Sequence, residues 1–269
     1  MNGIALLFVC AKCNISQKNR IFAFANHYKT FMEIALLGYG KMGKEIAAVA
    51  EERGHEISVT IDSEADWMEK IDDLRHCDVA IDFSTPDTAV DNIMKCFNIG
   101  MPVVVGTTGW YDQLESVIHD CRQRDDAALF VASNFSIGVN ILFHLNRRLA
   151  EVMNNHPEYK VRIDETHHVH KLDAPSGTAI TLAEGIIDNL DAKEGWELDT
   201  DEPEEVKIVA HREGEVPGIH QVTYESDIDV LSIRHEAKSR KGFALGAVVA
   251  AEFLEGKKGY FTMEDLLAL

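Results

Sequence analysis

The sequence predicts an α/β chain in two parts, a doubly wound parallel sheet followed by a smaller α+β unit with a mixed sheet. Three observations carry that expectation. Apolar runs near residues 33–37, 78–83, 102–106 and 128–132 are continuous rather than alternating, as in strands covered on both faces. Turns and helix-length segments separate them, which is the rhythm of a parallel sheet. After Ser136 the rhythm stops, and a long helical stretch gives way to segments that alternate like half-solvated strands.

Taken in order, Glu33-Ile-Ala-Leu-Leu37 runs into Gly38-Tyr39-Gly40-Lys41-Met42-Gly43, a G-x-G-x-x-G. A helical pattern through Ile46, Val49 and Ala50 follows, then a second strand, Glu56 to Asp62, ending in an acid 24 residues beyond Gly38. The glycine loop alone is a weak signal. Strand, glycine turn, helix, strand and terminal acid together make the Rossmann-like dinucleotide-binding fingerprint. A carboxylate at Asp62 accepts bonds from a free ribose 2′-hydroxyl and repels a 2′-phosphate, and the acidic flank Ser63-Glu64-Ala65-Asp66 supplies no arginine. NADH is therefore the expected preferred cofactor, with NADPH as the alternative.

The third strand, Asp78 to Phe83, opens into Ser84-Thr85-Pro86-Asp87, a helix start that leads into a helix over 88–99. Pro102 to Gly106 opens into Thr107-Thr108-Gly109, before a helix from about Asp112 to Arg124. Ala128 to Ala132 ends in Ser133-Asn134-Phe135. Ligands of such sheets bind outside the carboxyl ends of the strands, so Gly38–Gly43, Phe83-Ser84, Gly106–Thr108 and Ala132–Phe135 are the candidate cofactor contacts. Beyond Ser136, residues 138–153 read as a helix, Tyr159–Glu165 as a strand and 178–190 as a helix. Val206–Ala210, His220–Glu225 and Asp229–His235 read as strands, and 243–255 as an apolar helix stopped by Gly256. The expected division is 32–135 with 240–269 for the dinucleotide, and 136–239 for substrate and oligomerisation.

The chemistry is densest in Glu165-Thr-His-His-Val-His-Lys-Leu-Asp-Ala-Pro-Ser-Gly-Thr-Ala179. His167, His168, His170 and Lys171 can exchange or carry protons near neutral pH. Ser176-Gly177-Thr178 opens a helix, and the free backbone N–H groups of a helix start form an anion site. Metal binding by the three histidines is disfavoured, because adjacent residues on an extended backbone face opposite ways and no cysteine lies nearby. A Schiff-base role for Lys171 is made unnecessary by the hydride-donor fold upstream, and Ser176 does not sit in a nucleophile elbow. Proton transfer to a bound anion is the sharper reading, and a satisfied or merely exposed histidine cluster with a solvated Lys171 stays open beside it.

Composition bounds the function. Lys plus Arg total 26 against 45 acids, a net charge of −19, and residues 1–31 contribute four bases and no acid. So acidic a body disfavours nucleic acid. The five cysteines at irregular spacing fit a reducing compartment, and Cys10-Ala-Lys-Cys13 lacks a partner pair for zinc. The run Gly3–Ala11 is too short to cross a membrane and lacks the flanks of a signal peptide. Residues 1–31 are read as an extension outside the fold, and a cytoplasmic location is expected.

The residues resemble the dihydrodipicolinate reductase family, whose signature E-x-H-H-x-x-K-x-D-A-P-S-G-T-A is matched from Glu165 to Ala179 at every fixed position. Asp82-Phe83-Ser84, Gly106–Gly109, Asn134–Ser136, Arg212-Glu213-Gly214, Val216-Pro217-Gly218 and Ser239-Arg240 also match, so the resemblance spans residues 33–269. It implies reduction of a cyclic imine dicarboxylate in lysine and diaminopimelate biosynthesis. His167 and Lys171 would handle protons, and His168, Gly177 and Thr178, with Ser176, would hold the carboxylates. It also implies a homotetramer built through the second unit's sheet. The glycine loop is one residue shorter than the family's G-x-G-G-x-M-G, and Ser63 stands where some members carry an arginine suited to NADPH. Other readings are a dehydrogenase of another small acid, such as aspartate, and a cofactor-binding sensor.

Overall fold

The computed structural model describes residues 31–269, so the readings made for residues 1–30 lie outside the described residues. The first sheet contains β1 (Glu33–Leu37), β2 (Glu56–Ile61), β3 (Val79–Asp82), β4 (Val103–Val105), β5 (Ala128–Val131) and β11 (Gly259–Phe261). Their order is β11-β5-β4-β3-β1-β2, and every pairing is parallel. The burial explains the sequence pattern, since β3, β4 and β5 are buried at every position.

Helices cover both faces. On one face α1 (Lys41–Glu52), α7 (Lys241–Leu254) and α8 (Met263–Leu267) pack Ile46, Val49, Ala247 and Leu266 against Ile34, Leu36, Ile81 and Phe130. On the other, α2 (Glu64–Leu74), α3 (Pro86–Asn98) and α4 (Leu114–Arg122) bring Trp67, Ile93, Phe97 and Val117 onto Leu37, Val103 and Leu129. Glu252 of α7 is buried and takes both Arg53 (Nε 2.6 Å, Nη2 2.8 Å) and His55 (Nε2 2.9 Å), which clamps α7 to the turn between α1 and β2. Burial raises the Glu252 carboxyl, but the hydrogen bonds from Arg53 and His55 outweigh it and hold it below its ordinary value.

The second sheet contains β6 (Lys160–His167), β7 (Gly195–Leu198), β8 (Glu205–Arg212), β9 (Ile219–Glu225) and β10 (Val230–Glu236), in the order β10-β9-β6-β8-β7. It is mixed, as expected: β6 pairs antiparallel with β9 and parallel with β8. The alternation in β6 is real, because Val161, Ile163, Glu165 and His167 are buried while Lys160 and Arg162 are exposed. α5 (Ile137–Met153) and α6 (Gly177–Ile187) cover one face with Leu142, Phe143, Leu182 and Ile186.

Several elements differ from the sequence expectation. The sequence expectation treats α2 only as an acidic flank, although Trp67, Ile71 and Leu74 at i, i+4 and i+7 carry a helical apolar period. Its start is also encoded: the Ser63 side chain accepts the Asp66 N–H. The helix expected from Asp112 begins as a 3-10 turn, Tyr111–Gln113, and ends at Arg122. The short elements β7, β11 and α8 were not anticipated, being three to five residues long.

Candidate active site

The carboxyl edge of the first sheet is laced together by its own backbone. Gly38 N–H donates to Ile61 O, Phe83 N–H to Leu37 O, Gly106 N–H to Asp82 O and Ala132 N–H to Val105 O, at 2.8 to 3.2 Å. All four expected loops therefore emerge side by side. Within the glycine loop, Gly38 has φ +90° and a Cβ there would stand 2.5 Å from Phe83 O, while one at Gly43 would stand 2.3 Å from Gly38 O. Both glycines serve packing. Gly40 differs, since a Cβ there would meet nothing within 4 Å. It is also the N-cap of α1, and no side chain caps the helix, so the first turn's N–H groups have no capping acceptor beside this open position. That is the cradle a pyrophosphate needs.

Asp62 is exposed at the end of β2, and its Oδ1 accepts the Tyr39 N–H at 2.6 Å. It braces the glycine loop through that bond. Phe83 packs its ring where a Gly106 side chain would have been, and against Phe135 at a centroid distance of 5.7 Å. Asp82, fully buried, anchors these loops: Oδ1 accepts from Ser84 N–H (3.0 Å), Ser84 Oγ (2.8 Å) and Thr107 Oγ1 (2.6 Å), and Oδ2 from Asn92 (2.8 Å). Its anchoring role went unread, although an acid ending an otherwise apolar strand is a signal for one. Tyr39, Lys41, Met42, Thr108 and Ser133 lie on the same loops, with Ser133 and Thr108 exposed.

The proton-bearing groups sit at the end of β6. His167 is 8% exposed and lies 3.5 Å, through Nδ1, from Oε2 of the fully buried Glu165. Burial pulls the imidazole below its ordinary value; Glu165 opposes this, while Lys171, Arg212 and His168 reinforce it. Lys171 Nζ donates to Asp173 at 2.7 Å. Arg212 of β8 clips the intervening loop, donating to Lys171 O (3.3 Å), Asp173 O (2.6 Å) and Glu165 Oε1 (3.3 Å). His168 is half-buried beside His170 at a ring distance of 6.0 Å, and His170 itself is exposed and pairs with Glu215 at 3.2 Å.

The turn after this loop behaves differently from its sequence reading at one position. Ser176 is 3% exposed; its N–H goes to Glu165 (3.1 and 3.2 Å), and its Oγ accepts from Ala179 N–H and meets His220 Nε2 at 3.1 Å. Its N–H and hydroxyl are both engaged inside the protein, which leaves Gly177 and Thr178 as the open part of the turn. Gly177 is exposed with nothing within 4 Å of a built Cβ, and Thr178 Oγ1 accepts from Asn134 Nδ2 at 3.4 Å. That last contact joins the anion turn to the cofactor edge.

Among the described residues, Glu165, His167 and His220 place one ligand atom each within 4.8 Å of one another. Arg212 and the Ser176 N–H already occupy the carboxylate, so the positive partners a cation would supply are present. Burial, then His167, His235 and Lys171, hold the pKa of His220 down to about 3, and it is neutral near pH 7.

An open glycine turn, a carboxylate just past β2, and a buried imidazole near an amine and an exposed helix start are the arrangement expected of a nicotinamide-dinucleotide oxidoreductase for a small anion. The comparisons narrow the class. Residues 32–135 match the N-terminus of dihydrodipicolinate reductase, and residues 138–267 its C-terminus. The chain belongs to the dihydrodipicolinate reductase family. It is 50% identical to 4-hydroxy-tetrahydrodipicolinate reductase of Christiangramia forsetii across 88% of this chain and 98% of that one. It is 37% identical to the enzyme of that name from Neisseria meningitidis serogroup B, across 73% and 74%. In fold it is similar to dipicolinate-bound dihydrodipicolinate reductase from Paenisporosarcina sp. TG-14 (TM-score 0.69, 22% identity, 86% of this chain and 97% of that one). GenD2 from gentamicin A biosynthesis, solved with NAD, shares the fold more distantly (TM-score 0.53, 12% identity, 90% and 92%). Among the described residues no helix is long and apolar enough to cross a membrane.

Proposed function

We propose that this chain reduces 4-hydroxy-tetrahydrodipicolinate to tetrahydrodipicolinate in lysine and diaminopimelate biosynthesis, with His167 and Lys171 supplying the proton. The observation that carries this reading is the bridge from Asn134 to Thr178, which sets the anion turn directly against the cofactor edge. The dinucleotide, when bound, supplies the hydride. The α1 N-terminus with Gly40, the carboxylate of Asp62 and the loops at Phe83-Ser84, Gly106–Thr108 and Ala132–Phe135 would hold it. Since Asp62 is a carboxylate and its flank offers no arginine, NADH is the preferred form.

As the substrate ring accepts hydride, negative charge develops along its conjugated carbon and nitrogen atoms. His167 and Lys171 stabilise that charge and deliver the proton. His168 and the N–H groups of Gly177 and Thr178 hold the carboxylates, fixing the ring for attack. Residues 32–135 and 240–269 are assigned to the dinucleotide, and 136–239 to substrate and oligomerisation. The exposed apolar Ile228, Val230 and Leu231 on the β9–β10 hairpin support a homotetramer built through the second sheet. The decisive assay follows NADH oxidation with substrate generated in situ from aspartate semialdehyde and pyruvate. Oxidation that requires both precursors is expected, and none at saturating NADH would sink the reading.

The anion turn gives a separate test. A Cβ at Gly177 meets no protein atom, so Gly177→Ala should fold with an unchanged or slightly raised melting temperature. The same methyl intrudes on the space assigned to the substrate carboxylate, and the KM for substrate should rise roughly tenfold, the equivalent of about 1.4 kcal/mol. A parent-like KM would remove the carboxylate from this turn.

A further inference from the structure

We propose that Glu165 is a positioning residue that holds the proton donor and the substrate-carboxylate turn in one frame, with Arg212 as its counter-charge. The inference rests on the reading of His167 as proton donor. Glu165 and His167 are two residues apart on β6, so both point to the same face of the sheet. There the carboxylate is wholly buried, where an unpaired charge would be costly. Two donors bond it, the Ser176 N–H at both oxygens and Arg212 at Oε1, and His167 Nδ1 lies 3.5 Å from Oε2 in an ion-pair contact without a hydrogen bond. His220 Nε2 stands 3.8 Å from the same Oε2.

Each contact has a consequence for the reaction. Nδ1 makes no hydrogen bond, so the carboxylate 3.5 Å away acts through its charge: it stabilises a proton on that side and hence the imidazolium, leaving Nε2 to exchange with substrate. Gly218 keeps the Nε2 side clear, since a Cβ there would stand 3.2 Å away. Accepting the Ser176 N–H fixes the first turn of α6, and so aims the free N–H groups of Gly177 and Thr178. Arg212 neutralises the carboxylate and clips the Lys171–Asp173 loop to it. Proton donor, second donor and anion turn thus share one buried hub.

The test compares pH profiles of kcat/KM for the full chain and for Glu165→Gln, Arg212→Met and His167→Gln. The charged or titratable groups facing His167 are Glu165 on its own strand, His168 and Lys171 on the following loop, Arg212 on β8 and His220 on β9. Gln keeps an acceptor for Ser176 but removes the charge that favours the imidazolium. The basic limb, where activity falls as His167 loses its proton, should therefore move about one unit to lower pH. Arg212→Met removes an opposing cation, and the limb should move to higher pH. A purely structural glutamate would scale activity without moving the limb, so a Glu165→Gln limb at the parent position overturns the proposal. If Glu165→Gln does not fold, Arg212→Met decides alone: an unmoved or lowered limb overturns it. Near-parent turnover in His167→Gln would instead remove the proton-donor reading itself, which separates the two failures.

Discussion

His167→Gln is expected to lower turnover by roughly 10²- to 10⁴-fold while NADH binding stays at the parent level. Glutamine approximates the imidazole's reach but cannot give up a proton, so the substitution isolates the chemical step. The site geometry explains why binding should survive. His167 lies at the end of β6, and its contacts are Glu165, His220 and the Gly218 backbone, none of which belongs to the dinucleotide loops. Lys171→Ala should cause a loss of the same order. Its loop should hold without the amine, because Arg212 grips the carbonyls of Lys171 and Asp173 rather than the side chain. The double variant should lose much less than the product of the two single losses, since both groups serve one proton transfer. Turnover and NADH fluorescence titration measured together check this. Near-normal turnover in both single variants would sink the assignment. Burial, which sets His167 below its ordinary value, gives the sign of the pH dependence: the active acid form is lost as pH rises, and the basic limb of kcat/KM should lie below 6.5.

The candidate site was legible because Glu165–Ala179 concentrates groups that proton transfer and anion binding both need. The first sheet was legible because β3, β4 and β5 are buried at every position, leaving continuous apolar runs in the sequence. Other features depend on contacts that no local pattern encodes. Arg212 is 47 residues from Glu165, and β8 reaches it only through a parallel pairing with β6 that alternation cannot specify. Ser176 shows the opposite case. Its hydroxyl and N–H look like ligand donors in sequence, yet the buried Glu165 accepts the N–H and His220 engages the hydroxyl. Asp82 falls between these cases, its charge visible in an apolar strand but its partners Thr107 and Asn92 supplied by the fold.

The proposed preference for NADH turns on Asp62, and the structure sharpens how to test it. The parent enzyme should show a lower KM for NADH than for NADPH, because among the described residues no cation pairs with Asp62 to offset repulsion of a 2′-phosphate. Nearby, Lys70 is committed to Asp66 at 2.7 Å, and Lys44 lies over the Tyr39 ring. Removing the charge should narrow the preference roughly tenfold, or about 1.4 kcal/mol. Alanine is a poor probe for this, since Asp62 Oδ1 also accepts the Tyr39 N–H and so braces the glycine loop. Asp62→Ala should therefore narrow the gap while also raising the KM for NADH. Asp62→Asn keeps a carbonyl oxygen for Tyr39, so it should narrow the gap mainly by improving NADPH. Michaelis constants for both cofactors in all three proteins distinguish bracing from repulsion: equal constants in the parent would end the argument for preference, and identical behaviour of the two variants would end the argument that Asp62 supports the loop.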